Sequence, residues 1–190
     1  LVQAVRSALT GKIAYELILV DDGSNDATAE IAKRELSKSD KVIEFTRNYG
    51  QSAAMAAGID QSVGRLVVTL DGDLQNPPDD IMKMIDYLHE KECDVVAGWR
   101  KNRQDGMILR KIPSLCANFL IRKVTGVTLK DYGCSLKVFK RDVAKNLSLY
   151  GELHRFIPVL AKIYGAKICQ MPVSHHPRIH GVSKYGLGRT

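Results

Sequence analysis

Two aspartates one residue apart, Asp71 and Asp73, close the apolar run Leu66–Leu70, and Gln75 and the pair Pro77–Pro78 follow. Along an extended segment, residues i and i+2 share a face, so both carboxylates converge on one point at the strand's end. In open α/β sheets the crevice beyond the carboxyl ends of the strands is where ligands bind. Two carboxylates and a side-chain amide are hard oxygen donors of the kind that hold Mg²⁺ or Mn²⁺, with phosphate oxygens completing the shell. Asp71, Asp73 and Gln75 therefore make a metal and diphosphate site. The competing reading of the same residues is a plain strand exit followed by a helix start.

Two further segments place polar residues at strand ends. Val20-Asp21-Asp22-Gly23-Ser24 ends the first apolar run. Its carboxylates can accept hydrogen bonds from a base or ribose, although Asp-Gly-Ser is also an ordinary turn. Arg47-Asn48-Tyr49-Gly50-Gln51 leads into the small-residue run Ser52–Gly58. Amides at that helix start could meet a phosphate, and the alanines alone would explain close packing on a sheet. The histidines His175, His176 and His180 match no standard metal spacing. His154, beside Arg155, suits either an anchoring or a substrate-facing role. Cys93, Cys116, Cys134 and Cys169 are scattered without a CxxC pair, which predicts reduced thiols.

The elements that must carry these residues follow from periodicity. Strands are predicted at Tyr15–Val20, Lys41–Phe45, Arg65–Leu70 and Asp94–Gly98. Helices are predicted at Ala27–Ser37, Gln51–Val63 and Asp79–Lys91. This alternation implies βαβ units and a mostly parallel sheet flanked by helices, an α/β fold. Trp99–Met107 is polar and reads as a loop, and Ile108–Thr125 as a helix with a broad apolar face. Gly133–Lys140 and Lys167–Val173 alternate like strands, and Leu153–Tyr164 is helical. The chain opens on a helix, Leu1–Leu9, with no strand before it, so a domain extending beyond the given sequence is expected.

At 190 residues and 45% apolar composition, one domain with a sizeable core is the default. No run approaches the length of a membrane-spanning helix, and no signal-peptide pattern is present. The net charge of +7 is unevenly divided. Residues 1–95 hold 10 Lys and Arg against 17 Asp and Glu, whereas residues 96–190 hold 18 against 4. The acidic half carries the proposed metal site, and the basic half suits an anionic partner.

Taken in order, the segments VDDGSNDAT, RNYGQSAAMAAG, DGDLQNPP, Asp131-Tyr132-Gly133-Cys134-Ser135, HRFIP (His154–Pro158) and RIHGVSKY (Arg178–Tyr185) resemble family 2 glycosyltransferases of GT-A fold. The likeness is strongest to the polyprenyl- and dolichyl-phosphate hexose synthases and covers nearly the whole chain. It implies one catalytic domain over 1–190, with a nucleotide-sugar half (1–98) and an acceptor half (99–190). It assigns Asp21, Asp22, Ser24, Asn48, Gly50 and Asp71 to the nucleotide sugar, and Asp71, Asp73 and Gln75 to Mg²⁺ or Mn²⁺. Asp131 and Asp73 are the catalytic candidates. Asp131 matches the acidic position near the acceptor, as a base or as an orienting group. Arg110, Lys111, Ser114, Arg178 and Lys184 are assigned to the acceptor phosphate.

The implied partners are a UDP- or GDP-hexose, a polyprenyl phosphate and an anionic membrane surface, with no nucleic acid, at the cytoplasmic membrane face. Family members usually have an opening strand with a V-x-P-x-Y-N-E-type segment, and many continue into membrane helices. Both are absent from this sequence, which is therefore expected to be truncated at both ends. A polysaccharide-forming transferase and a non-catalytic nucleotide-sugar-binding fragment are the rival readings. A D-x-D-x-T phosphatase is disfavoured because Gln75 stands where that chemistry needs Thr or Ser.

Overall fold

A computed structural model describes residues 1–101 and 128–177. Helix α1 (Val2–Leu9) is followed by β1 (Ile18–Asp21), α2 (Thr28–Glu35), β2 (Lys41–Glu44), α3 (Gln51–Gln61), β3 (Leu66–Thr69), α4 (Asp80–Glu90) and β4 (Val95–Arg100). After the segment 102–127 come β5 (Lys137–Lys140), α5 (Arg141–Lys145), a 3₁₀ turn at Leu153–Phe156, α6 (Ile157–Ile163) and β6 (Ile168–Val173). The elements expected in the first hundred residues are all present, usually a residue or two shorter. The expected helix Ile108–Thr125 lies outside the described residues.

Strands β1 and β2 pair in parallel, and β3-β5-β4-β6 form a second, four-stranded sheet. In that sheet β5 runs antiparallel to β3 and β4, while β4 and β6 are parallel. The sheet is thus mixed. Its two faces are covered separately. On one, α1 and α4 bury Val5, Ala8, Leu9, Ile81, Met84, Ile85 and Leu88 against Val96, Leu136 and Val138. The α4 residues recur at i, i+3, i+4 and i+7, the spacing that gives a helix a single apolar stripe. On the other face, Ile59 of α3 and Ile157 and Ala161 of α6 cover Val67, Val95 and Phe139.

Two expectations are corrected. Trp99 and Arg100 are not loop residues: β4 continues through them, pairing with Pro172 and Val173 of β6. The expected reduced state of all four cysteines also fails, because Cys93 and Cys169 form a disulfide across a separation of 76 residues. Cys93 precedes β4 and Cys169 lies in the adjacent β6, so the strand pairing brings the two together. Cys134 is free and buried. Thiol titration of denatured, unreduced protein should therefore find two reactive thiols. A loop of this length implies that reduction costs on the order of 4 kcal/mol by the chain-entropy model. Four titratable thiols in the freshly purified chain would refute the pairing.

Candidate functional site

The turn after β1 and the turn after β2 are tied to each other. The Asp22 carboxylate accepts the amides of Tyr49 (2.6 Å) and Gly50 (3.0 Å), and Asn48 Nδ2 donates to the Asp22 carbonyl (3.3 Å). Asp21 accepts both the amide and the hydroxyl of Ser24. Asp22 and Ser24, expected to face the nucleotide, are thus engaged in building the turn, and Asp22 in joining two loops. Gly23 makes this fit possible. Its φ is +72°, and a Cβ there would stand 2.4 Å from the Arg47 carbonyl carbon. Gly50 opens α3 with φ +93°.

Asp71 and Asp73 stand just past β3, as the sequence spacing requires. Burial pushes the Asp71 carboxyl above the ordinary carboxylate range, and the Asp73 charge pushes the same way. The Ser135 hydroxyl, Lys137 and Arg100 offset part of the rise. The Ser135 hydroxyl oxygen is itself buried and makes no hydrogen bond of good geometry to any described group. Within the same turn Leu74 has φ +59°, a left-handed conformation that costs a non-glycine residue roughly 1–2 kcal/mol. Such strain persists where surrounding contacts over-determine the backbone, often at functional sites.

Those contacts come from the end of β6. His176 N donates to the Gln75 carbonyl (2.8 Å), Asn76 Nδ2 to the Ser174 carbonyl (3.0 Å), and Ser174 N to Asp80 Oδ2 (2.7 Å). The Gln75 side chain also turns toward this segment, its Nε2 lying 3.4 Å from the His176 carbonyl. The structure therefore brings Asp71 and Asp73 together and gives Gln75 a partner outside the carboxylate pair. The residue sequence reasoning set aside, His175, is buried in the same segment. Nothing in its local spacing signals this.

The donor set suits a hard divalent cation. A desolvated carboxylate next to a second one is relieved when a cation takes the charge of both. Among the described residues, no group of three or more His, Cys, Asp or Glu side chains gathers to hold an ion. A cation on Asp71 and Asp73 would take its other ligands from substrate phosphate and water, the usual habit of Mg²⁺.

Asp131 is brought to the same end of the sheet but is held by Arg100. Arg100 Nε and Nη2 donate to its two oxygens at 2.7 and 3.0 Å, and the amides of Gly133 (3.0 Å) and Arg100 (3.3 Å) add to them. The paired side chains are only 13% and 15% exposed. Burial raises the Asp131 carboxyl, but the Arg100 hydrogen bonds and charge outweigh it, leaving the group below its usual range. Arg100 is a site residue that sequence reasoning missed.

On the sheet face shared with α3, Ser52 and His154 are buried against each other. His154 N donates to Ser52 Oγ at 3.0 Å, and Ser52 Oγ lies 3.0 Å from His154 Nδ1. The serine accepts the amide and shares a second hydrogen bond with the ring, which makes His154 an anchor between α3 and the 3₁₀ turn. The acceptor candidates Arg110, Lys111, Ser114, Arg178 and Lys184 lie outside the described residues.

A mixed α/β sheet with paired carboxylates at a strand's carboxyl end and clamped turns beside it defines a GT-A-type domain. Solved structures of that kind superpose on the chain. Glucosyl-3-phosphoglycerate synthase from Mycobacterium tuberculosis, in complex with Mn²⁺, UDP-glucose and phosphoglyceric acid, matches 93% of this chain and 67% of its own. The TM-score is 0.65 at 16% identity. The mannosyltransferase PcManGT from Pyrobaculum calidifontis, in complex with GDP-Man and Mn²⁺, matches 83% of this chain and 45% of its own, with TM-score 0.58 and 18% identity.

The chain belongs to glycosyl transferase family 2, whose model matches residues 1–148. It is 54% identical over 181 residues to a dodecaprenyl-phosphate galacturonate synthase of Rhizobium johnstonii, covering 93% of this chain and 54% of that protein. It is 42% identical over 176 residues to an undecaprenyl-phosphate 4-deoxy-4-formamido-L-arabinose transferase of Pectobacterium atrosepticum, covering 91% and 53%. The chain spans about half the length of the curated relatives it matches. The polyprenyl-phosphate group indicated by the sequence motifs is the group these relatives represent.

Proposed function

We propose that the chain carries the catalytic domain of an inverting transferase that moves a sugar from a nucleoside-diphosphate donor to a polyprenyl phosphate at the cytoplasmic membrane face. The observation that carries this reading is the Asp71–Asp73 pair just past β3, in which burial and the Asp73 charge both act against the Asp71 carboxylate, a repulsion that a bound cation would relieve. The names of the relatives support the lipid-phosphate acceptor, and one of them widens the donor sugar from a neutral hexose to a uronic acid.

Asp71 and Asp73 would hold Mg²⁺ or Mn²⁺, with the Gln75 turn shaping the loop around them. The cation, when bound, neutralises charge developing on the departing diphosphate. Asp21, Asp22, Ser24, Asn48 and Gly50 form the joined turns against which the nucleoside would lie. Asp131 orients Arg100 and the 131–133 turn rather than taking a proton. A phosphate monoester has a second pKa of about 6 and is largely a dianion at neutral pH, so it needs no strong base. Residues 1–98 supply the donor-binding half and residues 99–190 the acceptor-binding half, with Arg100, Ser135 and Lys137 of the second reaching the Asp71 side of the first. The basic excess of the second half suits an anionic leaflet, a contribution of about 1 kcal/mol per Lys or Arg near the surface. Among the described residues, no helix is long and apolar enough to cross a membrane.

Calorimetric titration of the full chain with UDP and with GDP, each with Mn²⁺ and with chelator, tests the donor half. The expected result is binding of one nucleotide that depends on the cation. A folded chain that binds neither contradicts the reading.

A further inference from the structure

Lys137 is a lysine in the interior of a sheet. It lies on β5 directly opposite Thr69 of β3 and Ala97 of β4, and its side chain is 2% exposed. An ammonium group so completely desolvated is costly and rarely found without a partner. Its Nζ donates to the carbonyl of Cys134, three residues back on the same chain. Burial pushes the Lys137 ammonium below its usual range, Arg100 adds to that, and Cys134, Asp131 and Asp71 oppose it.

The register explains why those groups meet. Thr69 and Lys137 are directly paired, so their side chains share a face. Continuing the antiparallel register by two residues sets Asp71 opposite Ser135 on that same face. The face also carries Ser52 and His154, both buried. A polar layer of Ser52, Thr69, Ser135, Lys137 and His154 therefore underlies the end of the sheet where Asp71 and Asp131 stand. Thr69 Oγ1 donates to the Ser135 carbonyl (2.7 Å), so the Cys134–Ser135 backbone is gripped from both strands, by Thr69 and by Lys137.

We propose that Lys137 is a positioning residue of the donor site: its buried amino group fixes the Cys134–Ser135 backbone against the end of β3 and places positive charge behind the Asp71 and Asp131 carboxylates. A purely structural lysine would be replaceable by an apolar chain of similar length, and such swaps of buried charge are often neutral or stabilising. A positioning lysine would not be, because the acids it faces would lose their counter-charge. The inference rests on the reading of Asp71 and Asp73 as the cation and diphosphate site.

The test compares the full wild-type chain with Lys137→Met and Lys137→Arg, by melting in chelator and by calorimetry with Mn²⁺ and whichever of UDP or GDP the wild type binds. Lys137→Met should melt at or above the wild-type temperature yet bind the nucleotide about 10- to 30-fold more weakly, roughly the effect of one lost charge-assisted contact. Lys137→Arg should restore affinity to within about threefold of wild type, because it returns the charge. If the methionine variant does not fold, Lys137→Gln takes its place, keeping a donor for the Cys134 carbonyl while removing the charge. A folded Met or Gln variant that binds like wild type overturns the inference. A wild-type chain that binds neither nucleotide overturns the donor-site reading itself, a result in which no variant takes part.

Discussion

Replacing Asp71 with asparagine should abolish cation-dependent nucleotide binding while leaving the fold as stable as before, or more so. The two halves of this expectation have one cause. In the fold, burial and the neighbouring Asp73 raise the Asp71 carboxyl above its ordinary value. An acid whose folded pKa exceeds its unfolded one adds nothing below the unfolded pKa and destabilises the fold increasingly as pH rises through the folded pKa. Asparagine carries no such penalty. In chelator, the melting temperatures of wild type and Asp71→Asn should nearly coincide below about pH 4 and separate in favour of the variant as pH rises. Adding Mn²⁺ and nucleotide should reverse the order, since only the wild type gains linkage from the ligand. The affinity loss should be at least about 100-fold, the scale of a charge-assisted ligand removed from a cation that has few others. A variant that binds the nucleotide with unchanged cation dependence would sink the assignment of β3's end as the metal site.

The placement of Asp71 and Asp73 just past β3 was legible because its signals are local. An apolar run ending in Asp-x-Asp fixes strand, exit and shared face within a few residues, and the same holds for Val20–Ser24. Elements failed to be read where the decisive contact is remote. Trp99-Arg100-Lys101 looks like polar loop, yet Arg100 is neutralised by Asp131, 31 residues later, and can therefore close a strand. The cysteine pair is separated by 76 residues, and no spacing rule finds it. Ser52 and His154 are 102 residues apart. Lys137 sits in an alternating segment whose charged residues would be placed outward on pattern alone. Only the three-strand register shows that this face is covered. The left-handed Leu74 is likewise set by the grip of residues 174–176 on the turn, which no property of leucine announces.

Breaking the Arg100–Asp131 pair should be the most destabilising change at the site, and it separates two roles for Asp131. The pair is bidentate, nearly buried and reinforced by two backbone amides. Removing one member of such a pair strands the other, at a cost of about 3–5 kcal/mol. Asp131→Ala and Arg100→Ala should therefore each lower stability by that order, and the double variant should be scarcely worse than either. That non-additivity measures their coupling. The Asp131 carboxyl lies below its unfolded value, so this stabilisation is complete above about pH 4 and is lost as pH falls through the folded pKa. The same fact bears on catalysis. A carboxylate that already accepts four hydrogen bonds and resists protonation is a weak proton acceptor, and its titration falls well outside the neutral range. With a polyprenyl phosphate acceptor, the acidic limb of the kcat/KM profile should lie near pH 6, where the acceptor phosphate loses its second proton. That limb should persist in Asp131→Asn, with rates reduced at every pH because Arg100 and the turn have lost their anchor. A general base predicts the opposite: the limb would vanish with the carboxylate, in a variant that still folds and still binds the nucleotide.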